Sequence, residues 1–306
     1  MGYINSAGLG RLWSKINSKI STSTAVLAGL QNDNLLINGN FQVWQRGNSG
    51  VFGKSAGYTC DRFRTGSDTG ACKTEKTDVG MKVTMYKVGS LRIDQTIMDS
   101  ELDLSGKEVT LSVKSTSSGN LVLHFYAYAN GSWLDVSSTN ILQGLTTVTC
   151  TVPAGTKTFC CEINSGDIPI DSFIELSYMK LEYGSIATTC NKERYGDVLQ
   201  QCKRFYQIVY ISGTAHDVNL LHTYTTLPVE MICSPIMLEL SSNISSASGK
   251  LASFNPGEVD AFFDGVSGLE SNCICYIQLE NRSLVAGQQY YGVAILGAEK
   301  FIRYHE

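Results

Sequence analysis

The chain has 306 residues, 43% of them hydrophobic and 17% charged, with only 5 prolines. That balance excludes a disordered or low-complexity chain. A net charge of −4 gives no electrostatic reason to bind nucleic acid or an anionic membrane. No apolar run approaches the roughly 18 residues that a membrane helix needs.

Residues 1–33 differ in pattern from the rest of the chain. Leu9, Leu12, Trp13, Ile16 and Ile20 recur at steps of three and four, which predicts one apolar stripe along a short helix. A helix this short is marginal in water by itself. It is expected to dock on a larger assembly or on copies of itself, with STSTAVLAGLQNDN as a spacer behind it. The same N-terminus lacks the apolar core of a secretory signal, so synthesis in a cytosol is expected.

Next comes LLINGNFQVWQRG, Leu35 to Gly47, with Asn38-Gly39 as a turn signal. Two readings of it stay open. In the structural one, Leu36, Phe41 and Trp44 seal the start of a domain from an edge strand. Arg46 then bridges to Asp61 and Arg62 of YTCDRF. In the functional one, Trp44 is a platform on which the C–H face of a sugar ring stacks.

From Asn34 to Cys190 the periodicity is two. MKVTMYKV, GKEVTLSVKS, NLVLHFYAYA, LTTVTCTVPAG and FIELSYMKLE alternate apolar and polar residues between turn clusters. No helical segments interrupt them, which predicts an antiparallel β-sandwich. Within LVLHFYAYANGSWLDV, His124, Tyr126 and Tyr128 share one face of a strand. A hairpin at Asn130-Gly131 is expected to bring Trp133 and Asp135 back beside them. Flat rings with a few hydrogen-bonding groups suit a sugar groove, and a face covered by a neighbouring subunit would carry the same residues.

NKERYGDVLQQCKRFYQ then changes period. Val198, Leu199, Cys202, Phe205 and Tyr206 fall on one helical face, with Asp197 as the expected N-cap. The β pattern resumes in IVYISGTA, IMLELSSN, CICYIQLE and YYGVAILGA. The expected fold is therefore mainly β. Its parts are a leader helix and spacer at 1–33, a sandwich at 34–190, a linking helix at 191–207 and a second, smaller β-sandwich at 208–306.

The chemistry of catalysis is thinly represented. The 10 cysteines form no C-x-x-C pair and are expected to be reduced, mostly buried thiols. With 4 histidines there is no H-E-x-x-H, and no G-x-S-x-G or P-loop occurs. His216-Asp217 beside Thr214 has the residue types of a triad without its geometry. Asp167, Asp171 and Glu175 read as solvated edges rather than a glycosidase pair. No catalytic residue, metal ligand or cofactor is assigned, and the chain is not expected to be an enzyme.

LLINGNFQVWQRG, YTCDRFR and MKLEYGSIATTCNKERYGDVLQQCKRFYQ together resemble the carbohydrate-binding-module-like jelly-roll of bacteriophage tail fibres and related receptor-binding proteins. The likeness runs from Asn34 to Gln207. Phe63 stands where that group has Trp, and Thr189-Cys190 where it has Pro-Phe. TLPVEMICSP, Thr226 to Pro235, and GLGRLWSKINSKI resemble its small distal β domain and its leader helix. The resemblance implies a homotrimeric virion tail fibre that attaches a particle to a bacterial surface polysaccharide, with the leader helix meeting other tail or baseplate proteins. It implies no nucleic acid and no membrane insertion. A purely structural tail, baseplate or capsid role and a glycan depolymerase are the alternatives. Related sugar-binding jelly-rolls place an acid after the Phe to hold a structural calcium. Gln42 occupies that position here, a weaker ligand for a hard cation.

Overall fold

The computed structural model describes Lys15 and residues 33–54, 56–99, 101–215, 220–231, 236–241, 250–253, 258–260, 262–269, 274–280 and 289–297. The leader helix expected within residues 1–33 therefore lies, Lys15 apart, outside the described residues, as do His216, Asp217 and Cys273. The chain divides into two compact units, Met1–Glu193 and Arg194–Glu306.

The first unit runs β1 (Ser49–Phe52), β2 (Gly57–Tyr58), β3 (Arg64–Gly66), β4 (Ala71–Lys76), β5 (Met81–Lys87), β6 (Arg92–Met98), β7 (Glu108–Ser117), β8 (Val122–Ala129), β9 (Ser132–Asn140), β10 (Gly144–Thr151), β11 (Thr156–Asn164) and β12 (Phe173–Tyr183). These strands form two six-stranded antiparallel sheets, ordered β1-β4-β5-β12-β7-β10 and β2-β3-β6-β11-β8-β9. The chain changes sheet at eight of its eleven connections, which is the winding of a jelly-roll sandwich.

Alternation explains why the layers meet. Val109, Leu111 and Val113 of β7, Leu123, Phe125 and Ala127 of β8, and Phe159, Cys161 and Ile163 of β11 all turn inward into one core. On β12 the inward set is Ile174, Leu176, Met179 and Leu181. A register shift between Leu176 and Tyr178 supplies the extra residue that keeps this series in phase. Seven cysteines of the described residues are free thiols, five of them buried.

LLINGNFQVWQRG is not an edge strand but a chain of turns fixed by one side chain. Asn38, buried and at φ 61°, accepts the backbone N–H groups of Gln42 and Val43 and donates to the carbonyls of Val43 and Asp61. Gly39 is obligatory, because a Cβ there would sit 2.3 Å from the Met179 carbonyl oxygen. Gln95 reaches from β6 to satisfy both the N–H and the C=O of Ile37. Leu36, Phe41 and Trp44 are buried, with Phe41 edge-on to Phe63 at 4.7 Å. Trp44 donates its indole N–H to the Phe41 carbonyl at 2.7 Å and is 8% exposed. It belongs to the core, so its ring faces are not a platform for sugar. Arg46 pairs with Asp61 at 3.3 Å, whereas Arg62 turns away to Glu101 at 3.0 Å and the Thr96 carbonyl.

The second unit opens with α1 (Tyr195–Lys203), followed by β13 (Tyr206–Ala215), β14 (Leu220–Thr226), β15 (Ile236–Ser241), β16 (Lys250–Ser253), β17 (Glu258–Asp260), β18 (Phe262–Leu269), β19 (Ile274–Glu280) and β20 (Gln289–Gly297). Val198 and Cys202 form the buried side of α1, and Phe205 and Tyr206 continue it. The helix starts three residues earlier than its sequence suggests. Arg194 is its N-cap, and Asp197 lies inside the first turn, where an acid still suits the helix dipole. A small sandwich is the expectation here. The described strands are hydrogen-bonded into one eight-stranded antiparallel sheet, in which β20 pairs β13 on one side and both β15 and β16 on the other.

Candidate functional site

The outward face of the sheet β2-β3-β6-β11-β8-β9 gathers most of the first unit's unusual chemistry. Its register is set by the inward residues just named, so the alternate positions point away from the core. Across it, Glu162 of β11 faces Asp94 of β6 on one side and His124 of β8 on the other. Asp94 in turn faces Arg64 of β3, and Asn164 faces Arg92. One polar band thus crosses four strands.

The band is tied together by hydrogen bonds. Arg64 reaches Asp94 through Nε at 3.0 Å and a terminal nitrogen at 2.9 Å. Arg92 lies 3.7 Å from the same carboxylate and 3.5 Å from Asp68, and its buried Nε lacks a hydrogen-bond partner. Asn164 donates to Glu162 at 2.8 Å and to the Tyr126 hydroxyl at 3.4 Å. His124 Nδ1 and Asp135 meet at 3.0 Å. Asp94 and Glu162 are buried despite facing outward. Burial pushes Asp94 up and the Arg64 guanidinium pulls it back. Burial, then the neighbouring Asp94 charge, lifts Glu162 to about 7. Tyr126 is raised to about 12, first by burial and then by Glu162 and Asp135.

Aromatic rings flank this band. His124 and Tyr126 stack at 5.2 Å with planes 8° apart, and Tyr128 lies 5.4 Å from Trp133. The β8–β9 hairpin makes the second pair: Asn130 and Gly131 both have positive φ, 53° and 82°, which allows a tight turn. It sets Tyr128 opposite Trp133 and Tyr126 opposite Asp135. Of the six residues singled out in the sequence, five come together here: His124, Tyr126, Tyr128, Trp133 and Asp135. Trp44 does not.

Arg64, Arg92, Asp94, Glu162 and Asn164 are the residues that sequence reasoning missed. Their strands give a poor signal. RIDQTIM breaks its alternation at the buried Gln95, and in TFCCEIN the consecutive Cys160 and Cys161 blur it. The acids of the β11–β12 region lie elsewhere. Asp167 and Asp171 are exposed in the connecting loop, with Asp167 accepting from Thr69 at 2.6 Å, and Glu175 sits on the other sheet. That loop and the β7–β8 loop border an open hollow of about 570 Å³ lined by Ser117, Asn120, Asp167, Ile168 and Pro169. Among the described residues no group of three or more His, Cys, Asp or Glu side chains gathers to hold a metal. Gln42 is buried and donates to the Glu193 carbonyl at 3.3 Å.

No protein-family model matches the chain, and no curated protein does. Among solved structures, the chain is similar to the enzymatically active domain of bacteriophage CBA120 tailspike protein 4. That match has 17% identity and a TM-score of 0.33, and covers 49% of this chain and 21% of the other. It is also similar to a structure described as CBM4, at 16% identity and TM-score 0.33, covering 48% and 98%. A third is TmCBM61 in complex with β-1,4-galactotriose, at 9% and 0.32, covering 50% and 99%. The chain spans about a fifth of the length of that tailspike domain's chain.

Proposed function

We propose that the first unit is a non-catalytic glycan-binding module whose binding face is the outer side of the sheet β2-β3-β6-β11-β8-β9. One observation carries this reading: a hydrogen-bonded band, Arg64–Asp94 and Glu162–Asn164–Tyr126, runs beside the His124–Tyr126 and Tyr128–Trp133 ring pairs. Sugars need both elements, since their hydroxyls take forked donors and acceptors while their C–H faces pack on rings. The Asp94–Glu162 pair does not serve hydrolysis in this reading. A glycosidase sets its two acids on either side of a scissile bond, and these two stand side by side on adjacent strands with Asp94 held by Arg64.

The wider role rests on the resemblance of the motifs at Asn34–Gln207. In this reading the chain is a tail receptor-binding protein of a phage or phage-like particle, acting as a homotrimer on a bacterial surface glycan. Its leader helix docks the chain to other tail or baseplate proteins. Weak single sites would then gain strength through multivalency. The test is retention of the full chain on an array of purified bacterial surface polysaccharides, wild type beside Tyr126→Ala. Retention that drops at least tenfold, with an unchanged melting temperature, supports the reading. Retention equal in both moves the site off this face. Shortened polysaccharide chains after incubation would make the protein a depolymerase.

A further inference from the structure

Asp94 and Glu162 stand directly opposite each other on adjacent antiparallel strands. Side chains so placed begin about 5 Å apart, and two like charges at that range disfavour double ionisation. The neighbouring cations are unevenly shared. Arg64 grips Asp94 with two nitrogens and Arg92 leans on the same carboxylate, while Glu162 receives an amide N–H from Asn164. Asp94 is therefore the member that keeps its charge, and Glu162 the member that takes a proton. The other groups facing Glu162 are His124 and Tyr126 on β8, Asp135 beyond them on β9, and Cys160 on its own strand; Asp68 stands behind Arg92.

We propose that Glu162 makes glycan binding at this face proton-linked, so that a covering sugar is held more tightly while Glu162 is protonated than when it is ionised. This rests on the glycan-binding reading above. A ring laid over the band removes water from Glu162, which costs the ionised form more than the neutral one. Protonated, Glu162 donates its O–H to a sugar oxygen; ionised, it only accepts. The proton comes from solvent as the sugar seats. Histidine side chains as a class change charge near neutrality, so the experiment has to separate Glu162 from its neighbour His124.

The full chain and Glu162→Gln are applied to an array of bacterial O-polysaccharides at pH 5.5, 6.5, 7.5 and 8.5, with circular dichroism confirming that both remain folded. Expected is a roughly five- to tenfold fall in wild-type retention across neutrality, since a tenfold change matches one further unit of proton affinity on binding. The Glu162→Gln profile is expected to be flat, whatever its level. A flat wild-type profile overturns the inference, and so does an equally steep profile in Glu162→Gln, which would take the effect away from Glu162. Both results leave the glycan-binding reading intact. Retention on no spot at any pH by either folded protein overturns the inference and that reading together.

Discussion

Both sheets of the first unit bury charge on their outer faces, and they do so in opposite ways. On the sheet containing β12, Lys180 and Glu182 pair at 3.2 Å with side chains 2% and 0% exposed. The segment after β12 doubles back over them. Thr188 donates both its backbone N–H and its hydroxyl to Glu182, and Lys180 reaches the Thr188 hydroxyl and the Thr189 carbonyl. Unlike charges are matched one to one beneath a strap of chain. On the other sheet, Asp94 and Glu162 set like charges side by side, and their partners stand on the sheet itself. Buried charge is thus no mark of a site by itself. A neutral pair under its own chain is a fastening. A like-charged pair beside stacked rings is a surface with chemistry to spare.

The largest effect is expected from unbalancing the fastening. Glu182→Ala leaves the Lys180 ammonium under the strap with its counter-charge gone, and should cost about 3–5 kcal/mol in urea unfolding. The double change Lys180→Met with Glu182→Leu should recover most of that, since an apolar pair of similar volume escapes the desolvation cost. If the double variant is as unstable as the single one, the ion pair is not what holds the strap. Glycan retention by the folded double variant should match wild type, because this pair lies on the other sheet.

The like-charged pair should announce itself in the pH dependence of stability. Glu162 binds its proton more tightly folded, to about 7, than at its ordinary 4.5. Between those values the folded state holds more protons than the unfolded one, so stability falls as pH rises from about 4.5 to 7. The contribution lost is on the order of 3 kcal/mol. Melting temperatures of wild type and Glu162→Gln across this window should diverge, the variant keeping stability that the wild type loses. Parallel curves would mean that Glu162 is ionised throughout.

The contrast between the faces also explains what the sequence could and could not disclose. Period-two runs such as NLVLHFYAYA specify both a strand and its outward residues, so His124, Tyr126 and Tyr128 were legible as a row. The Asn130-Gly131 turn made Trp133 and Asp135 legible as their partners. β6 and β11 hide the same information. Gln95 occupies an inward position to satisfy Ile37, and Cys160-Cys161 blurs the alternation around Glu162. That Asp94 meets Glu162, 68 positions later, is a matter of sheet order and not of local pattern. Trp44 misleads for the converse reason. An aromatic next to an arginine looks functional until Asn38 folds the segment inward and the indole finds the Phe41 carbonyl.

The smallest effect on stability, and the finest test of the comparison, belongs to Trp133. It sits opposite Tyr128 near the β8–β9 turn, half-buried at a sheet edge, with its ring 5.4 Å from the tyrosine and tilted by 54°. An aromatic pair of this kind contributes about 0.5–1.5 kcal/mol beyond its buried area. Trp133→Ala should therefore lower the melting temperature by only a few degrees, far less than unbalancing Lys180 and Glu182. Its effect on polysaccharide retention should be larger in proportion, because a ring at the open end of the band has more to offer a sugar than it gives the fold. Trp133→Phe keeps a ring and should restore part of the retention. Loss of stability without loss of retention would make the Tyr128–Trp133 pair a clasp for the hairpin, and would confine the binding face to the His124–Tyr126 stack and the buried carboxylates beside it.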